Sequence, residues 1–383
     1  MLPAVIVGLL VGEQQAPQSA SRALMQALTR ITVTQGDGAR SGDYQQGFQL
    51  TFAAERGRAV REDFPLLTGP LLLPGKRVVI AVTVQARPRV LLDGIITFQE
   101  LVAGDAPELV VTGKDISVLM DLAYVGKRRP GQGAKEAALA ILGEYAKYGV
   151  KPAASDPKTV SSATEDQRAP IQAGTDRAYL RRLADDNGFI FCMKFGPAPK
   201  QSTAYWGPLD LAAPEQRALT TNAGSGTNVA ALKFSYNGLA ATQVTGAYAD
   251  PDAAEPTPIQ ALARDADTSL AKTQALSAGA AFVRKRRVAD APFGAAEAGA
   301  RAHAIADRSA EDAVVAEGTL DTARYGDLLL APGIVGVRGA GETYDGDYYV
   351  RSVTHDITPE RYVQRFKLGR EGPGTLTKQV KAK

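Results

Sequence analysis

Residues 172–189 read Gln172-Ala-Gly-Thr-Asp-Arg-Ala-Tyr-Leu-Arg-Arg-Leu-Ala-Asp-Asp-Asn-Gly-Phe189, and this stretch carries both ends of a helix. Thr175 is a good N-cap, and Asp176 sets a negative charge against the positive end of the helix dipole. Tyr179, Leu180, Leu183 and Ala184 recur at helical spacing, so they form one apolar face. Asn187-Gly188 makes the exit, because glycine takes the left-handed conformation without a steric penalty. Gly188-Phe-Ile-Phe-Cys-Met193 then reads as a buried strand. The unit is a helix over 175–187 that feeds a core strand.

Strands dominate to the N-terminal side. Ile31–Thr34, Phe48–Phe52, Val78–Val84, Ile95–Phe98 and Leu109–Gly113 are short, β-branched or aromatic, and separated by turn residues. Ala4–Val11 reads as a hydrophobic strand or docking segment. Ser19–Thr29 is predicted to be a short helix, and Asp115 to cap another over Ile116–Tyr124. A longer helix is expected at Ala134–Tyr148, with Ala138, Ile141, Leu142 and Tyr145 on one face. Lys151–Asp166 is polar and carries two prolines, the pattern of a loop or linker. Further on, a turn at Asn222–Thr227 precedes strands at Val229–Tyr236 and Thr242–Tyr248. Residues 250–258 read as an exposed connection, Ala295–Ala310 as an Ala-rich helix, and Lys378–Lys383 as a frayed tail.

One pattern occurs twice. Leu71-Leu-Leu-Pro-Gly75 leads into a strand and then to Asp93-Gly94 with another strand. Leu328-Leu-Leu-Ala-Pro-Gly333 leads into a strand and then to Asp345-Gly346 with another. The two cassettes agree in order and length, which is the pattern of two related β-barrel domains in one chain.

Composition narrows the function classes. A chain of 383 residues can hold two or three domains with proper cores. A net charge of +3 is too small to argue for nucleic acid or an anionic membrane surface. The single cysteine, Cys192, rules out an intrachain disulfide and a multi-cysteine metal site, and its setting makes it a buried, inert thiol. Met1–Gly12 has no Lys or Arg and is too short to span a bilayer, so synthesis in the bacterial cytoplasm without a signal peptide is expected.

Catalytic chemistry finds little support. Of the two histidines, His303 is expected to be solvated or packed on the late helix, and His355 to be a structural hydrogen-bonding residue, with an interface or pH-sensitive role as the alternative. Neither offers a ligand set for zinc. No nucleophile elbow or phosphate loop is present. Asp185 and Asp186 point about 100° apart on a helix and do not face one another; a solvated helix end is the expectation for them. Arg284–Arg287 is the densest positive run, either solvated or a contact to an acidic protein surface. Arg181 and Arg182 carry the same two readings, with Arg182 the better candidate for a buried ion pair between domains. No catalytic residue, cofactor site or metal site is assigned, and the chain is expected not to be an enzyme.

The helix block, with its Gln, its Thr-Asp, its aromatic-Leu-Arg-Arg-Leu-Ala run and its closing Gly, resembles the late control gene D family of tail proteins. That family includes myophage baseplate hubs and the N-terminal part of the type VI secretion spike protein VgrG. The C-terminal block is similar to the family's ending: a Pro-Gly turn at Gly333, a Gly-x-Tyr-x-Val strand through Tyr348, the Val-x-His of His355, and Tyr362-Val-Gln-Arg-Phe366. The resemblance implies an α+β, mainly β chain with two related tube-forming β-barrel domains and an intervening α/β segment. These are expected at 1–113, 114–215 (with helices 134–148 and 175–187) and 216–383 (with a helical insertion around 295–310). Three such chains would form a pseudo-six-fold ring.

The function so implied is that of a structural baseplate hub. The homotrimer would join a six-fold inner tube to a three-fold spike and transmit force on contraction. Its partners would be the spike protein, the inner tail tube protein and other baseplate proteins, with no direct nucleic-acid contact and no stable membrane insertion. Its final location would be a phage tail or a contractile injection particle. VgrG-like chains continue into a barrel and needle, so a spike on a separate polypeptide is expected. Thr175, Asp176, Tyr179, Leu180, Arg182, Leu183, Gly188, Gly333, Tyr348 and His355 are the structural or interface candidates. Two alternatives stay open: a tail-associated peptidoglycan hydrolase and an unrelated soluble binding module.

Overall fold

The computed structural model describes residues 5–38, 45–54, 63–158, 171–199, 201–248, 255–263, 269–277, 279–288 and 295–376. The expected frayed tail at 378–383 and residues 250–254 of the expected connection lie outside the described residues. The chain starts with β1 (Ile6–Gly12), β2 (Pro17–Ser19), α1 (Arg22–Ala27), β3 (Leu28–Gly36) and β4 (Gly47–Ala53). It continues through α2 (Pro65–Thr68), β5 (Arg77–Val84), β6 (Arg87–Val102) and β7 (Glu108–Asp115). The middle holds β8 (Tyr124–Arg128), α3 (Ala134–Gly143), β9 (Val150–Ala154), β10 (Ile171–Thr175), α4 (Asp176–Asp186), β11 (Ile190–Lys194) and β12 (Ser202–Gly207). Next come β13 (Glu215–Thr220), β14 (Ala231–Tyr236), β15 (Thr242–Tyr248), β16 (Thr257–Ala261), β17 (Arg284–Val288) and α5 (Ala295–Ala310). The last elements are β18 (Val314–Asp321), α6 (Thr322–Tyr325), β19 (Gly333–Arg338), β20 (Gly346–Ile357) and β21 (Tyr362–Arg370). The fold is mainly β with helices set between strands.

Among the described residues, thirteen strands form one continuous sheet. Alternation places them: Phe48, Leu50 and Phe52 of β4 all turn inward while their neighbours turn out, the period of two that a half-buried strand requires. Along the sheet, β1-β5-β6-β7-β4-β3 are successive neighbours, and so are β13-β19-β20-β21-β18-β14. Numbered by position within each run, the two orders are the same. Each run carries a bulge at the corresponding place, between Ile96 and Phe98 on β6 and between Val350 and Ser352 on β20. They differ at one edge, where β1 is antiparallel to β5 but β13 is parallel to β19. The runs join through antiparallel pairing of β3 with β20, from Ile31 opposite Ile357 to Gly36 opposite Ser352.

Each run has its own apolar core. Leu50, Phe52, Val78, Ile80, Leu91 and Leu109 anchor the first, and Leu219, Val314, Tyr325, Val335, Tyr348 and Leu368 the second. A third core lies among α3, α4 and the β9–β12–β11 sheet. The fourth forms where the alanines of α5 lie against the β16–β15–β17 sheet.

Several expected elements differ in extent. The helix at 19–29 shrinks to α1, capped by Ser21 on the Leu24 amide at 3.2 Å. The β-branched residues Thr29, Ile31, Thr32, Val33 and Thr34 favour the strand that replaces its C-terminal end. The expected helix at 116–124 is a 3-10 segment, Ile116–Asp121, and Tyr124 opens β8. The helix at 134–148 stops at Gly143, and a 3-10 turn at Ala146–Tyr148 ends on left-handed Gly149. Within the expected linker, Lys151–Ala154 belongs to β9, which pairs in parallel with β12. The late helical insertion carries three strands as well as its helix.

Candidate functional site

Two buried polar clusters lock the parts of the chain together. The first surrounds the start of α4. Thr175 caps the helix through its Oγ1, which accepts from the Ala178 amide at 3.2 Å and donates to Asp121 at 2.8 Å. The buried carboxylate of Asp176 accepts from Gln172 Nε2 at 2.6 Å and from the Tyr145 hydroxyl at 2.8 Å. Gln172 in turn accepts from Arg129 Nε at 2.9 Å. Burial, then the bond to Asp176, pushes the Tyr145 phenol well up. Asp176 therefore fastens the residues just after α3 to the N-terminus of α4.

Beside it, Arg177 is buried and reaches Asp121 at 3.0 Å and Asp115 at 3.4 Å. Asp115 also caps the 3-10 segment through the Ser117 amide at 2.9 Å. This ion pair joins α4 to the end of β7. Such a pair is not made by Arg182, the better sequence candidate for it; of the two readings for that residue, the solvated one holds. Arg182 is exposed, stacks over the Tyr179 ring at 5.0 Å and donates to the Ile171 carbonyl at 2.9 Å. Arg177 stands five residues before Arg182, so the two project from different sides of the helix.

The apolar face of α4 meets the third core. Tyr179 and Leu180 are buried and Leu183 is half-buried. Trp206 donates its indole N–H to the Leu180 carbonyl at 3.1 Å and meets Phe189 edge to face at 4.9 Å. Gly188 is left-handed, with φ of 68°, and a Cβ there would stand 3.2 Å from the Ala304 Cβ. α5 passes directly over the end of α4. Arg308 bonds Asp185 and the Phe189 carbonyl, and Arg301 lies 3.6 Å from Asp186. Asp185 and Asp186 are therefore docking points for α5, a correction to the solvated helix end expected for them. His303 on the same helix is exposed.

The second cluster lies where β3 meets β20. His355 is fully buried opposite Val33. Its Nδ1 lies 2.8 Å from the Tyr362 hydroxyl and 3.2 Å from Gln364 Nε2, while its Nε2 lies 3.2 Å from Gln35 Oε1. With two donors at Nδ1 and an acceptor at Nε2, the network fits the neutral ring protonated at Nε2. Burial lowers its pKa to about 3. Gln35 also donates to the Leu91 carbonyl at 2.8 Å and accepts from the Ala331 amide at 3.2 Å. One glutamine thus ties β6, the loop before β19, and His355. At the start of β19, a Cβ on Gly333 would fall 2.5 Å from Gln216 Nε2, whose side chain pairs with both the N–H and C=O of Leu330. Tyr348 is buried under Arg370 at 4.3 Å and donates to the Tyr344 carbonyl at 2.8 Å.

Five arginines are buried among the described residues, Arg77, Arg129, Arg177, Arg351 and Arg370, and none of them is among the sequence candidates. Besides Arg177, Arg77 pairs with Asp93 inside the first run. Arg351, at the β20 bulge, meets Asp37 at 2.7 Å, Glu311 at 2.7 Å and Asp312 at 2.8 Å. Arg351 binds the end of β3 to the end of α5. Cys192 is buried on β11 and its thiol is pushed up to about 12 by burial. Among the described residues no group of three or more His, Cys, Asp or Glu is placed to hold a metal ion, and no helix is long and apolar enough to cross a membrane. The chemistry of both clusters is that of clamps: charges and amides are matched to one another.

No family model and no curated protein matches this chain. Solved structures do. A tail protein from Neisseria meningitidis MC58 superposes with a TM-score of 0.64 at 14% identity, covering 97% of this chain and 98% of that one. The 43 kDa tail protein of prophage MuSo2 from Shewanella oneidensis gives 0.64 at 14%, covering 96% and 99%. An E. coli type VI secretion component, described as similar to the T4 tail proteins gp27 and gp5, gives 0.53 at 13%, covering 91% and 76%. The likeness is one of fold, and with the two tail proteins it extends over nearly the whole of both chains.

Proposed function

We propose that this chain is a structural hub protein of a contractile tail, in a phage or a phage-like injection particle. In this reading residues 1–113 and 216–383 are two related tube-type β-barrel domains, with 114–215 as the α/β segment between them. Three copies form a pseudo-six-fold ring that meets the six-fold inner tube on one face and a three-fold spike on the other. On contraction the ring transmits thrust from tube to spike. The observation that carries the proposal is the doubled strand order, β1-β5-β6-β7-β4-β3 and β13-β19-β20-β21-β18-β14. Two equivalent units per chain are what a three-copy ring needs to present six similar contacts. The whole-length fold match to two tail proteins supports it, as do the buried clamps, which suit a part loaded mechanically.

Arg284–Arg287 is exposed along β17 and is the proposed contact to an acidic tube or spike surface. Affinity purification of the tagged protein from its native host, with identification of what comes with it, tests the role. Tube, spike and baseplate proteins are expected. Recovery of the tagged chain alone from cells making tails would overturn the proposal. Loss of turbidity from purified cell walls would restore the hydrolase alternative.

A further inference from the structure

On β20, one long edge is filled by β21 from Tyr349 to Ile357. The other edge is shared by β19, as far as Val350, and β3, from Ser352 to Ile357. β6 occupies the same place in its run, but its second edge is only half filled. β5 accompanies it to Ile95, with the last bonds linking Ile96 to Gly75 and Lys76 at 2.8 and 2.9 Å. Among the described residues nothing pairs with Thr97–Val102 on the side away from β7. The counterpart of β3 is β14, which among the described residues pairs in the sheet with β18 alone. The chain therefore has one junction made internally and the two halves of a second one left open.

Exposure supports the comparison. At the closed junction Val33 and His355 are 0% exposed. Carrying the register across through the two bulges and the β18 and β4 pairings makes Phe234 the counterpart of Val33 and Leu101 that of His355. Both are only half-buried. Nearby, Phe98, Val102 and Tyr236 are 57%, 47% and 48% exposed. An open edge flanked by large apolar side chains invites another strand.

We infer that β14 of one copy pairs antiparallel with Phe98–Val102 of the next, repeating the β3–β20 junction between chains. The register puts Gln99 opposite Tyr236, Glu100 opposite Ser235, Leu101 opposite Phe234, and Val102 opposite Lys233. Lys233 then stands diagonal to Glu100, within reach of a cross-strand ion pair. Leu101 and Phe234 meet on the core side and complete each other's burial. The contact is head-to-tail, since two different edges meet, so it closes only as a ring. This inference rests on the trimer proposed above for the number of copies.

Cysteine pairing tests it, because directly opposed residues across a strand pair lie within disulfide range. Glu100→Cys with Ser235→Cys, and separately Val102→Cys with Lys233→Cys, are oxidised and run without reductant, after circular dichroism confirms the wild-type fold. Both double variants are expected to give covalent trimer, and each single variant monomer. Dimers from a single variant would overturn the inference, as they require like edges to meet. A protein that sediments as a trimer yet cross-links at neither pair would overturn the edge assignment and leave the trimer standing. Covalent species beyond trimer would keep the edge pairing and overturn the three-fold reading. A monomer at tens of micromolar with no cross-links would overturn both.

Discussion

The guanidinium of Arg77 and the carboxylate of Asp93 meet through two hydrogen bonds, 2.7 Å from Nε to Oδ1 and 2.6 Å from Nη2 to Oδ2, with both side chains sealed from solvent. Arg77 Nη1 also donates to the carbonyls of Gln14 and Tyr148 at 2.7 and 2.8 Å, and Ser202 donates to Asp93 at 3.0 Å. This pair fastens β5 and β6 to the segment after α3 and to β12. Asp93→Ala leaves a buried, uncompensated guanidinium and is expected to cost about 3–5 kcal/mol. Replacing both partners with apolar residues of similar volume should recover much of that loss. Urea titrations of the single and double variants check the non-additivity.

His355 gives the fold an acid dependence. Its folded pKa lies at about 3, below the ordinary value of about 6.5. The unfolded chain therefore takes up this proton more readily, and stability is lost as pH falls from about 6.5 toward 3. Between pH 7.5 and 5 the loss from this residue is about 2 kcal/mol. In His355→Gln that part of the dependence should vanish. Urea midpoints of both proteins at the two pH values measure it.

Gly188 sits left-handed against Ala304. Gly188→Ala adds backbone strain and a contact at 3.2 Å, for an expected loss of about 1–3 kcal/mol. Gly143→Ala is the control. It lies at the end of α3 with nothing within 4 Å of its added Cβ, so it should be neutral or slightly stabilising. Thermal melting of the two variants separates strain from general intolerance of alanine.

Arg177 and Arg182 are near neighbours in sequence with opposite roles. Arg177→Met strands Asp115, which is buried, and is expected to destabilise by roughly 2–4 kcal/mol. Arg182→Met loses an exposed stacking contact and should stay within about 0.5 kcal/mol of wild type. Denaturant midpoints decide between this assignment and the reverse.

Local signals were legible and distant pairings were not. Thr175 as the cap, Tyr179 and Leu180 on the core face and Gly188 as the exit could all be read from neighbours within one or two turns. The choice of Arg177 over Arg182 could not, because Asp115 and Asp121 reach α4 through the fold and leave no periodicity. The meeting of Gln35 and His355 across 320 residues depends on β3 crossing to β20, and no local pattern encodes that crossing. Asp185 and Asp186 looked solvated because α5, more than a hundred residues later, supplies their arginines. The repeated Pro-Gly turns do stand at the start of β5 and β19, but of the Asp-Gly pairs only Asp345-Gly346 opens a strand; Asp93-Gly94 lies inside β6, and the equivalence of the two runs appears only when the full order is seen.

The most direct test of the central claim is electron microscopy of particles purified through a tag on this chain in its native host. Sheathed, rod-like particles labelled once, at the spike-proximal end, are the expected result. A small soluble species bearing the tag, with no tail attached, would contradict the assignment and return the chain to the class of binding modules.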